Sequence, residues 1–382
     1  MDFPKKLLEK LRKREQENAL RNLSSPEFPV DFYSNDYIGF ARSKEIFDET
    51  HDLLKRQRTF ANGSTGSRLI SGNHAIYDHA ETFIAQFHQT ESALIFNSGY
   101  DANVGFFSSV PQRSDVILYD ELCHASIRDG IGLSRAKSFK FGHNDLEELE
   151  KLVAKFQSGE SQIYVVTESV FSMDGDSPNL EQLSEITQKN DCLLVVDEAH
   201  ALGVFGEFGC GLVQQQNLED KVFARIMTFG KGLGCHGAAI LGSKELRDYL
   251  INFSRSFIYT TALPPHSIAT ILSAYKQLQI TANIAKLTEI VSHFNREKYR
   301  LSLKPMFVYS KSGIQCAIVP GNEKVKSVAQ KLQQRGFGVK AILSPTVPEG
   351  QERLRICLHS YNSETEVTAL LEYLCDLVFP NP

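Results

Sequence analysis

A single lysine lies among glycines in the middle of the chain, where its amine could react with a ligand at close range. Lys231 stands within residues 228–234 (TFGKGLG), between two short apolar runs. Upstream, an apolar run is followed by Asp197 and, three positions later, by His200. An amine can hold a carbonyl compound as a Schiff base, and a carboxylate can pair with a pyridine nitrogen. The combination predicts pyridoxal phosphate (PLP) chemistry.

The composition is that of an ordinary globular protein and excludes several classes of function. The 382 residues carry a net charge of -5, which argues against a large nucleic-acid surface. We find no apolar run long enough to span a bilayer. Residues 1–23 are charged and lack the apolar core of a signal peptide, so we expect a cytoplasmic protein. The seven cysteines are scattered and never form a C-x-x-C pair, which favours reduced thiols and no metal site.

Short apolar runs alternate with amphipathic stretches through the first two thirds of the chain. This alternation predicts an α/β fold with a mostly parallel, helix-covered sheet. The predicted strands of that sheet are 93–96, 116–119, 163–167, 193–196, 226–228 and 238–241. Helical periodicity follows over 268–299, and mixed strands and helices follow that. We therefore predict an N-terminal arm over 1–40, a large α/β domain over 41–265 and a small C-terminal α+β domain over 266–382.

Polar side chains follow five of these predicted strands, where open α/β sheets bind their ligands. They are Asn97 to Tyr100, Asp120 to His124, Glu168 with Ser172, Asp197 with His200, and Lys231. Taken singly, each has a plain structural explanation, because an acid after a strand often caps a helix and a lone histidine is usually structural. Five neighbouring strand ends together predict a ligand site.

Three further features suit a phosphorylated pyridine and an amino acid. Gly99 and Tyr100 enter a predicted helix whose free N–H groups could bind phosphate, and Thr228 could assist them. The imidazole of His124 could stack on a pyridine ring. Arg353 and Arg355 alternate on a predicted strand, so one face could aim a guanidinium at a substrate carboxylate. Surface ion pairing is the alternative for these two arginines.

Residues 197–200 also spell the DEAH box of helicase-like ATPases. That interpretation requires a G-x-x-x-x-G-K-[ST] phosphate loop upstream, and the sequence contains none. The glycines around Lys231 have neither the required spacing nor the hydroxyl residue. The PLP hypothesis therefore takes precedence over the ATPase hypothesis.

With these motifs together, the chain resembles the α-oxoamine synthases, which are fold-type I PLP-dependent enzymes. The resemblance spans nearly the whole chain. It is carried by residues 34–37 (SNDY), 167–176 (TESVFSMDGD), 197–200 (DEAH), 228–234 (TFGKGLG), 258–265 (IYTTALPP) and 345–348 (PTVP).

The resemblance implies a homodimer with shared active sites and a role for each matching residue. Lys231 would hold PLP, Asp197 would pair with its ring nitrogen, His200 would bind its phenolic oxygen, and His124 would stack on its ring. The remaining cofactor residues would be Gly99, Tyr100, Thr228, Ser172 near the ring oxygen, and Thr261 from the second subunit. The residues on the substrate side would be Arg21, Asn35, Thr346 and Arg355.

The implied activity is condensation of an amino acid with an acyl thioester, carried on CoA or on acyl carrier protein, with loss of CO₂. The resemblance favours L-alanine with a pimeloyl thioester. Acetyl transfer to glycine and the other activities of the family are alternatives. A fold-type I aminotransferase is a more remote one, and a PLP-binding interaction protein without turnover comes from another functional class.

Overall fold

The structure is a computed structural model that describes residues 3–21, 23, 27–157 and 161–379. The chain forms two compact units. Unit 1 comprises residues 1–34, 173–175 and 286–382, and unit 2 comprises residues 35–172 and 176–285. These boundaries lie elsewhere than the predicted ones at 40 and 265, because the helix that follows Pro264 groups with unit 2. Nowhere in the described ranges is a helix long and apolar enough to cross a membrane.

The described residues form alternating strands and helices. The helices are α1 (Lys5–Gln16), α2 (Lys44–Arg56), α3 (Ala75–Phe87), α4 (Gly99–Ser109), α5 (Ala125–Leu133), α6 (Leu146–Phe156), α7 (Leu180–Lys189), α8 (Leu212–Gln215), α9 (Lys244–Phe253), α10 (Arg255–Ile258), α11 (Pro265–Leu278), α12 (Asn283–Arg300), α13 (Asn322–Gln334) and α14 (Glu364–Val378). The strands are β1 (Val30–Asp31), β2 (Ser92–Phe96), β3 (Val116–Asp120), β4 (Lys137–Phe141), β5 (Ile163–Glu168), β6 (Leu193–Asp197), β7 (Ala224–Thr228), β8 (Ala238–Gly242), β9 (Ile314–Ile318), β10 (Phe337–Gly338), β11 (Lys340–Ile342) and β12 (Arg353–Cys357).

Unit 2 is built on a sheet whose described strands follow the order β2-β8-β7-β6-β5-β3-β4. Strands β7, β6, β5, β3 and β4 run parallel, whereas β8 runs antiparallel to both β7 and β2. The predicted α/β class is confirmed, and all six predicted strands occur within two residues of their expected bounds. Strand β4 was not predicted. It lies at the edge of the sheet and carries exposed lysines, so it lacks the apolar run of a central strand.

The central strands bring their terminal acids to one edge of the sheet. Strands β5 and β6 are buried along nearly their whole length, as expected for parallel strands covered by helices on both faces. Their register pairs Glu168 with Asp197, the last residue of each strand. Two carboxyl groups therefore meet at the carboxyl edge, where an α/β sheet binds its ligand.

A return between antiparallel strands carries Lys231. Residues 229–237 connect β7 to β8, and the Phe229 N–H donates to the Gly237 carbonyl oxygen at 2.9 Å. Gly234 adopts a positive φ of 62°, and a Cβ there would collide with the main chain of Phe40 and Ala41. The return is thus closed by its own hydrogen bonds and by close packing, so it presents Lys231 from a defined position.

Unit 1 contains two small sheets. Strands β11, β12 and β9 form an antiparallel sheet in that order, and β1 pairs in parallel with β10. Strand β12 is buried along its whole length, arginines included.

The predicted helical stretch over 268–299 is divided into two helices, α11 and α12, and α12 runs to Arg300. Thr281 Oγ1 accepts a hydrogen bond from the Asn283 N–H, which starts the second helix.

Candidate active site

Lys231 lies at one end of a buried hydrogen-bonded chain in unit 2. Its Nζ is 2.9 Å from His200 Nε2. The other ring nitrogen, His200 Nδ1, is 2.7 Å from the hydroxyl of Tyr37, which in turn donates to Asn35 Oδ1 at 3.2 Å. His200 is 4% exposed and Tyr37 is 1% exposed. The structure thus joins three predicted site residues, Lys231, His200 and Asn35. The link between them is Tyr37, a member of the SNDY motif for which no role was predicted.

Asp197 is buried at the end of β6 and is held through both carboxylate oxygens. Oδ1 accepts from the Ala199 N–H at 2.9 Å, and Oδ2 accepts from Asn103 Nδ2 at 2.8 Å. Asn103 lies one helical turn after Gly99 on α4, and its amide also donates to Ser126 Oγ at 3.0 Å. The two donors orient the carboxylate. Sequence reasoning missed Asn103, although its spacing from Gly99 places both residues on one helix face.

His124 begins α5 with its ring fixed by a neighbouring serine. Ser126 donates its main-chain N–H to His124 Nδ1 at 3.2 Å, and its hydroxyl lies 2.7 Å from the same atom. Since Nδ1 accepts, the proton of the neutral ring belongs on Nε2. Burial, followed by the cation of Lys231, lowers the pKa of His124. A flat, neutral imidazole at this position suits stacking on an aromatic ring.

Glu168, at the end of β5, is a buried acid that supports this loop. Its Oε1 accepts from the His124 N–H at 2.5 Å. Burial and the neighbouring carboxylate of Asp197 raise the pKa of Glu168 to about 8. The burial of Glu168 beside a second carboxylate therefore favours its protonated form.

The N-terminus of α4 faces Thr228 across a close approach. Ser98 caps the helix, because its Oγ accepts from the Asp101 N–H at 3.1 Å, so the predicted helix entry is confirmed. A Cβ on Gly99 would collide with Thr228 Oγ1, so only glycine allows the approach. Tyr100 points its hydroxyl to Asp129 at 2.9 Å, which leaves its main-chain N–H as the group suited to phosphate.

Thr261 lies on an exposed segment beside this helix end. Asn97 Nδ2 donates to Thr260 Oγ1 at 2.9 Å and to the Thr261 carbonyl oxygen at 2.7 Å. The segment is thereby fixed to the end of β2, with the Thr261 side chain open to solvent. Ser172 is half-buried after β5, in the same unit.

The remaining predicted substrate-side residues belong to unit 1. Arg21 and Thr346 both line a cavity of about 780 Å³, together with Arg14, Lys326 and Lys340. Arg355 is not among the residues that line it. The structure therefore brings together two of these three residues.

Both arginines of β12 are buried, so surface ion pairing is wrong for them. Arg353 forms an ion pair with Asp174 and donates from Nε to the Gln351 carbonyl oxygen at 2.9 Å. Arg355 donates from Nη1 to Cys357 Sγ at 2.9 Å. Arg353 thus has a carboxylate partner within unit 1, whereas the acceptor of the Arg355 bond is a thiol.

Two further clusters near the site carry structural roles. Glu198, next to Asp197, is fully buried and accepts from Arg225 Nε and Nη2 at 2.9 and 2.7 Å. His143 lies between two acids, with Nδ1 at 3.0 Å from Asp120 Oδ1 and Nε2 at 2.8 Å from Asp176 Oδ2. Burial disfavours its cation, but these two hydrogen bonds outweigh burial and raise the pKa of His143 to about 10.

The arrangement fits PLP on three grounds of its own geometry. A half-buried lysine amine lies on a return closed by its own hydrogen bonds, a buried carboxylate is oriented by two donors, and a glycine is required where a helix end approaches a threonine hydroxyl. A phosphate suits the helix end, a pyridine nitrogen suits the carboxylate, and an aldehyde suits the amine. The part of the chain that the structure describes holds no cluster of three or more metal-ligating side chains.

Comparison with known proteins agrees with this assignment. Residues 29–374 match the family described as aminotransferase class I and II. The 8-amino-7-oxononanoate synthase of Emericella nidulans is 41% identical over 387 residues, covering 96% of this chain and 93% of the relative. The crystal structure of 8-amino-7-oxononanoate synthase from Francisella tularensis is 29% identical, with a TM-score of 0.77, covering 91% of this chain and 97% of that one. The fold also matches a serine palmitoyltransferase (SPT) with PLP as its internal aldimine, with a TM-score of 0.88, 23% identity and coverage of 98% and 96%.

The fold and the site define a fold-type I PLP-dependent transferase. The chain belongs to the aminotransferase class I and II family, and within it to the α-oxoamine synthases. It is a PLP-dependent acyltransferase similar to the 8-amino-7-oxononanoate synthases of biotin biosynthesis. The predicted cofactor is confirmed, and the ATPase hypothesis is excluded.

Proposed function

We propose that this enzyme condenses L-alanine with a pimeloyl thioester to give 8-amino-7-oxononanoate, CO₂ and the free thiol carrier. The observation that carries the chemistry is the Lys231 amine held 2.9 Å from His200 Nε2, with Asp197 buried at the end of the adjoining strand. The choice of substrates is supported by the relatives, of which the Emericella nidulans synthase covers nearly the whole chain.

We assign the cofactor contacts to unit 2. Lys231 would hold the PLP aldehyde carbon, Asp197 the ring nitrogen and His200 the phenolic oxygen, with Ser172 near that oxygen and His124 over the ring. The main-chain N–H groups of Gly99 and Tyr100 would bind the phosphate with the Thr228 hydroxyl. When bound, PLP supplies an electron sink for negative charge at the amino acid Cα.

The residues then divide the proton transfers among them. Asp197 keeps the proton on the ring nitrogen, because its anionic carboxylate stabilises the neighbouring cation. Lys231, once free as an amine, takes the Cα proton of alanine on Nζ, and the Cα attacks the thioester carbonyl while the thiolate leaves. The original carboxylate then departs as CO₂, and the Lys231 ammonium returns a proton to Cα.

The carboxylates of the substrates call for cations, and unit 1 supplies them. We assign the carboxylate of the amino acid to Arg355 on β12. The cavity lined by Arg21 has basic residues at its walls and apolar groups such as Ile342 and Leu343 between them. A cavity of this chemistry suits an acyl chain that ends in a carboxylate, as a pimeloyl group does.

We further propose a homodimer in which Thr261 reaches the partner's cofactor. Thr261 is exposed, and large apolar side chains around it are exposed as well, namely Tyr259 at 72%, Leu69 at 53% and Ile70 at 85%. The two segments are neighbours, because the Ala262 N–H donates to the Gly66 carbonyl oxygen at 3.0 Å. An exposed apolar patch beside a ligand site is suited to a second copy of the chain.

A substrate matrix tests the proposed reaction. Purified enzyme is incubated with alanine or glycine against pimeloyl or acetyl thioesters, each on CoA and on acyl carrier protein, and free thiol and CO₂ are both measured. We expect the highest kcat/KM with alanine and a pimeloyl thioester. One methyl group separates alanine from glycine and is worth about 1–3 kcal/mol, so we expect a preference of roughly 10- to 200-fold.

Each outcome that contradicts the proposed reaction points to a different enzyme activity. A preference for glycine with acetyl-CoA, without CO₂, identifies a glycine C-acetyltransferase. Formation of keto acid without thiol release identifies an aminotransferase. The Lys231→Ala protein is the matched control, since it differs only in the proposed amine and should release thiol at the rate of the solution without enzyme.

A further inference from the structure

Tyr37 occupies a position that the cofactor and substrate contacts proposed above do not use. Its hydroxyl lies 2.7 Å from His200 Nδ1, on the side of the imidazole opposite Lys231. The same hydroxyl is 3.2 Å from Asn35 Oδ1. We infer that Tyr37 is a positioning residue, whose hydroxyl pairs with His200 Nδ1 in either tautomer and thereby lets His200 Nε2 accept from the free lysine or donate to the cofactor.

The argument begins with a count of protons along the chain. A lysine ammonium can only donate, so His200 Nε2 must accept from it and the single proton of the neutral ring lies on Nδ1. His200 Nδ1 then donates to the oxygen of Tyr37, and Tyr37 donates its own proton to Asn35 Oδ1. Every contact in the sequence Lys231–His200–Tyr37–Asn35 is satisfied in this one direction.

When PLP is bound, the His200 ring must carry its proton on Nε2 instead of Nδ1. The proposed partner of His200 is then a phenolic oxygen, which accepts hydrogen bonds, so Nε2 must carry the proton. His200 Nδ1 becomes an acceptor, and Tyr37 turns its hydroxyl proton towards it. The imidazole carries one proton in both arrangements, so the change is a tautomerisation and involves no net transfer.

A tyrosine hydroxyl suits this task because it can both donate and accept. An ionised carboxylate only accepts, and would hold the proton on Nδ1 in every state. A phenylalanine ring would leave a buried nitrogen without its partner. The hydroxyl therefore allows His200 to serve the free lysine and the bound cofactor in turn.

The segment that carries Tyr37 is fixed within unit 2. The Ala41 N–H donates to Asp36 Oδ1 at 3.0 Å, and Asn283 Nδ2 donates to the Ile38 carbonyl oxygen at 2.9 Å. The close approach of Gly234 to Ala41 packs the same segment against the lysine return. Tyr37 and Lys231 thus hold His200 from two elements that are themselves in contact.

The test compares Tyr37→Phe with a matched control in the same unit. Tyr275→Phe also removes a buried tyrosine hydroxyl bonded to a histidine, since the Tyr275 hydroxyl is 2.9 Å from His88 Nε2. Protein without cofactor is prepared with ¹⁵N-labelled histidine rings, and the tautomer of His200 is read from its ring nitrogen resonances. A His200→Gln protein assigns those resonances.

We expect the proton on Nδ1 in the wild type and in Tyr275→Phe. In Tyr37→Phe without cofactor the Lys231 ammonium still donates to Nε2, so the proton stays on Nδ1. With PLP bound, we expect the proton on Nε2 in the wild type and in Tyr275→Phe. Loaded with PLP, Tyr37→Phe should lose about tenfold or more in kcat with the KM for the amino acid changed less than about threefold. Tyr275→Phe should change neither quantity.

A wild-type His200 ring that carries its proton on the same nitrogen with and without PLP overturns the inference, as does a Tyr37→Phe protein with the wild-type kcat. If Tyr37→Phe fails to fold, the position of the ring proton in the wild type, read with and without PLP, still tests the inference. The NMR reading needs no substrate, so its outcome is independent of whether alanine and a pimeloyl thioester are the substrates.

Discussion

Replacement of Glu198 by glutamine tests whether this acid stabilises the fold, in contrast to the catalytic role proposed for Asp197 beside it. The Glu198 carboxylate accepts four hydrogen bonds, two from Arg225 and two from the main-chain N–H groups of Leu212 and Val213 at 2.7 and 3.1 Å. Arg225 is 3% exposed and donates further to the Cys210 carbonyl oxygen at 3.0 Å. An amide of the same shape has only one oxygen and no charge, so the guanidinium remains buried without its counterion.

The expected loss follows from the burial of this pair. Removal of one partner of a buried ion pair costs about 3–5 kcal/mol, which is a large part of a typical folding free energy of about 5–15 kcal/mol. The control is Glu49→Gln, which removes an exposed partner of Arg56 at 2.8 Å. Exposed pairs are worth about 0.2–1 kcal/mol. Urea titration of the cofactor-free proteins, followed by circular dichroism, gives the difference in free energy of unfolding.

The reasoning is refuted if Glu198→Gln unfolds within about 1 kcal/mol of the wild type, because the buried arginine would then have found another counterion. It is equally refuted if both variants lose the same stability. Loss of activity with unchanged unfolding would instead give Glu198 a direct part in the chemistry.

Three further predictions concern the site and its support. Lys231→Ala should lose the PLP adduct that borohydride fixes in the wild type, along with at least about a thousandfold of turnover, and an adduct formed elsewhere contradicts the assignment. Asp197→Asn should lose at least about a hundredfold in kcat with an unchanged circular dichroism spectrum, and wild-type rates would show that no anion is needed there. The folded pKa of His143 is raised to about 10 from a usual 6.5, so its stabilisation is complete below pH 6.5 and is lost as the pH rises towards 10. Thermal unfolding from pH 6 to 10 should show that loss in the wild type and a smaller one in His143→Asn.

The strands of the sheet could be predicted from the sequence because the signal for each one lies in a few consecutive residues. A buried parallel strand is a continuous apolar run, and five such runs end in the polar residues now found at one edge. Strand β4 could not be predicted in this way, because an edge strand that carries exposed lysines is not a continuous apolar run.

Contacts between distant positions could not be predicted in this way. Tyr37 and His200 are 163 positions apart, and no spacing rule joins them. Asn103 reaches Asp197 from another element, 94 positions away. The two arginines of β12 look alike in sequence, and their different partners follow from residues 173–174, which fold with unit 1 although they come from a distant part of the chain.

The return that carries Lys231 limits how this enzyme can change in length. It joins neighbouring antiparallel strands whose register pairs Thr228 with Ala238, and it is closed at Phe229 and Gly237. Strand β8 is buried on both faces, so one inserted or deleted residue that slipped it would exchange the side chains packed on the two faces, since side chains alternate along a strand. Length variation among descendants of this chain is therefore expected in other loops. A designer who wishes to move the amine has to alter the side chains around it and leave the return intact.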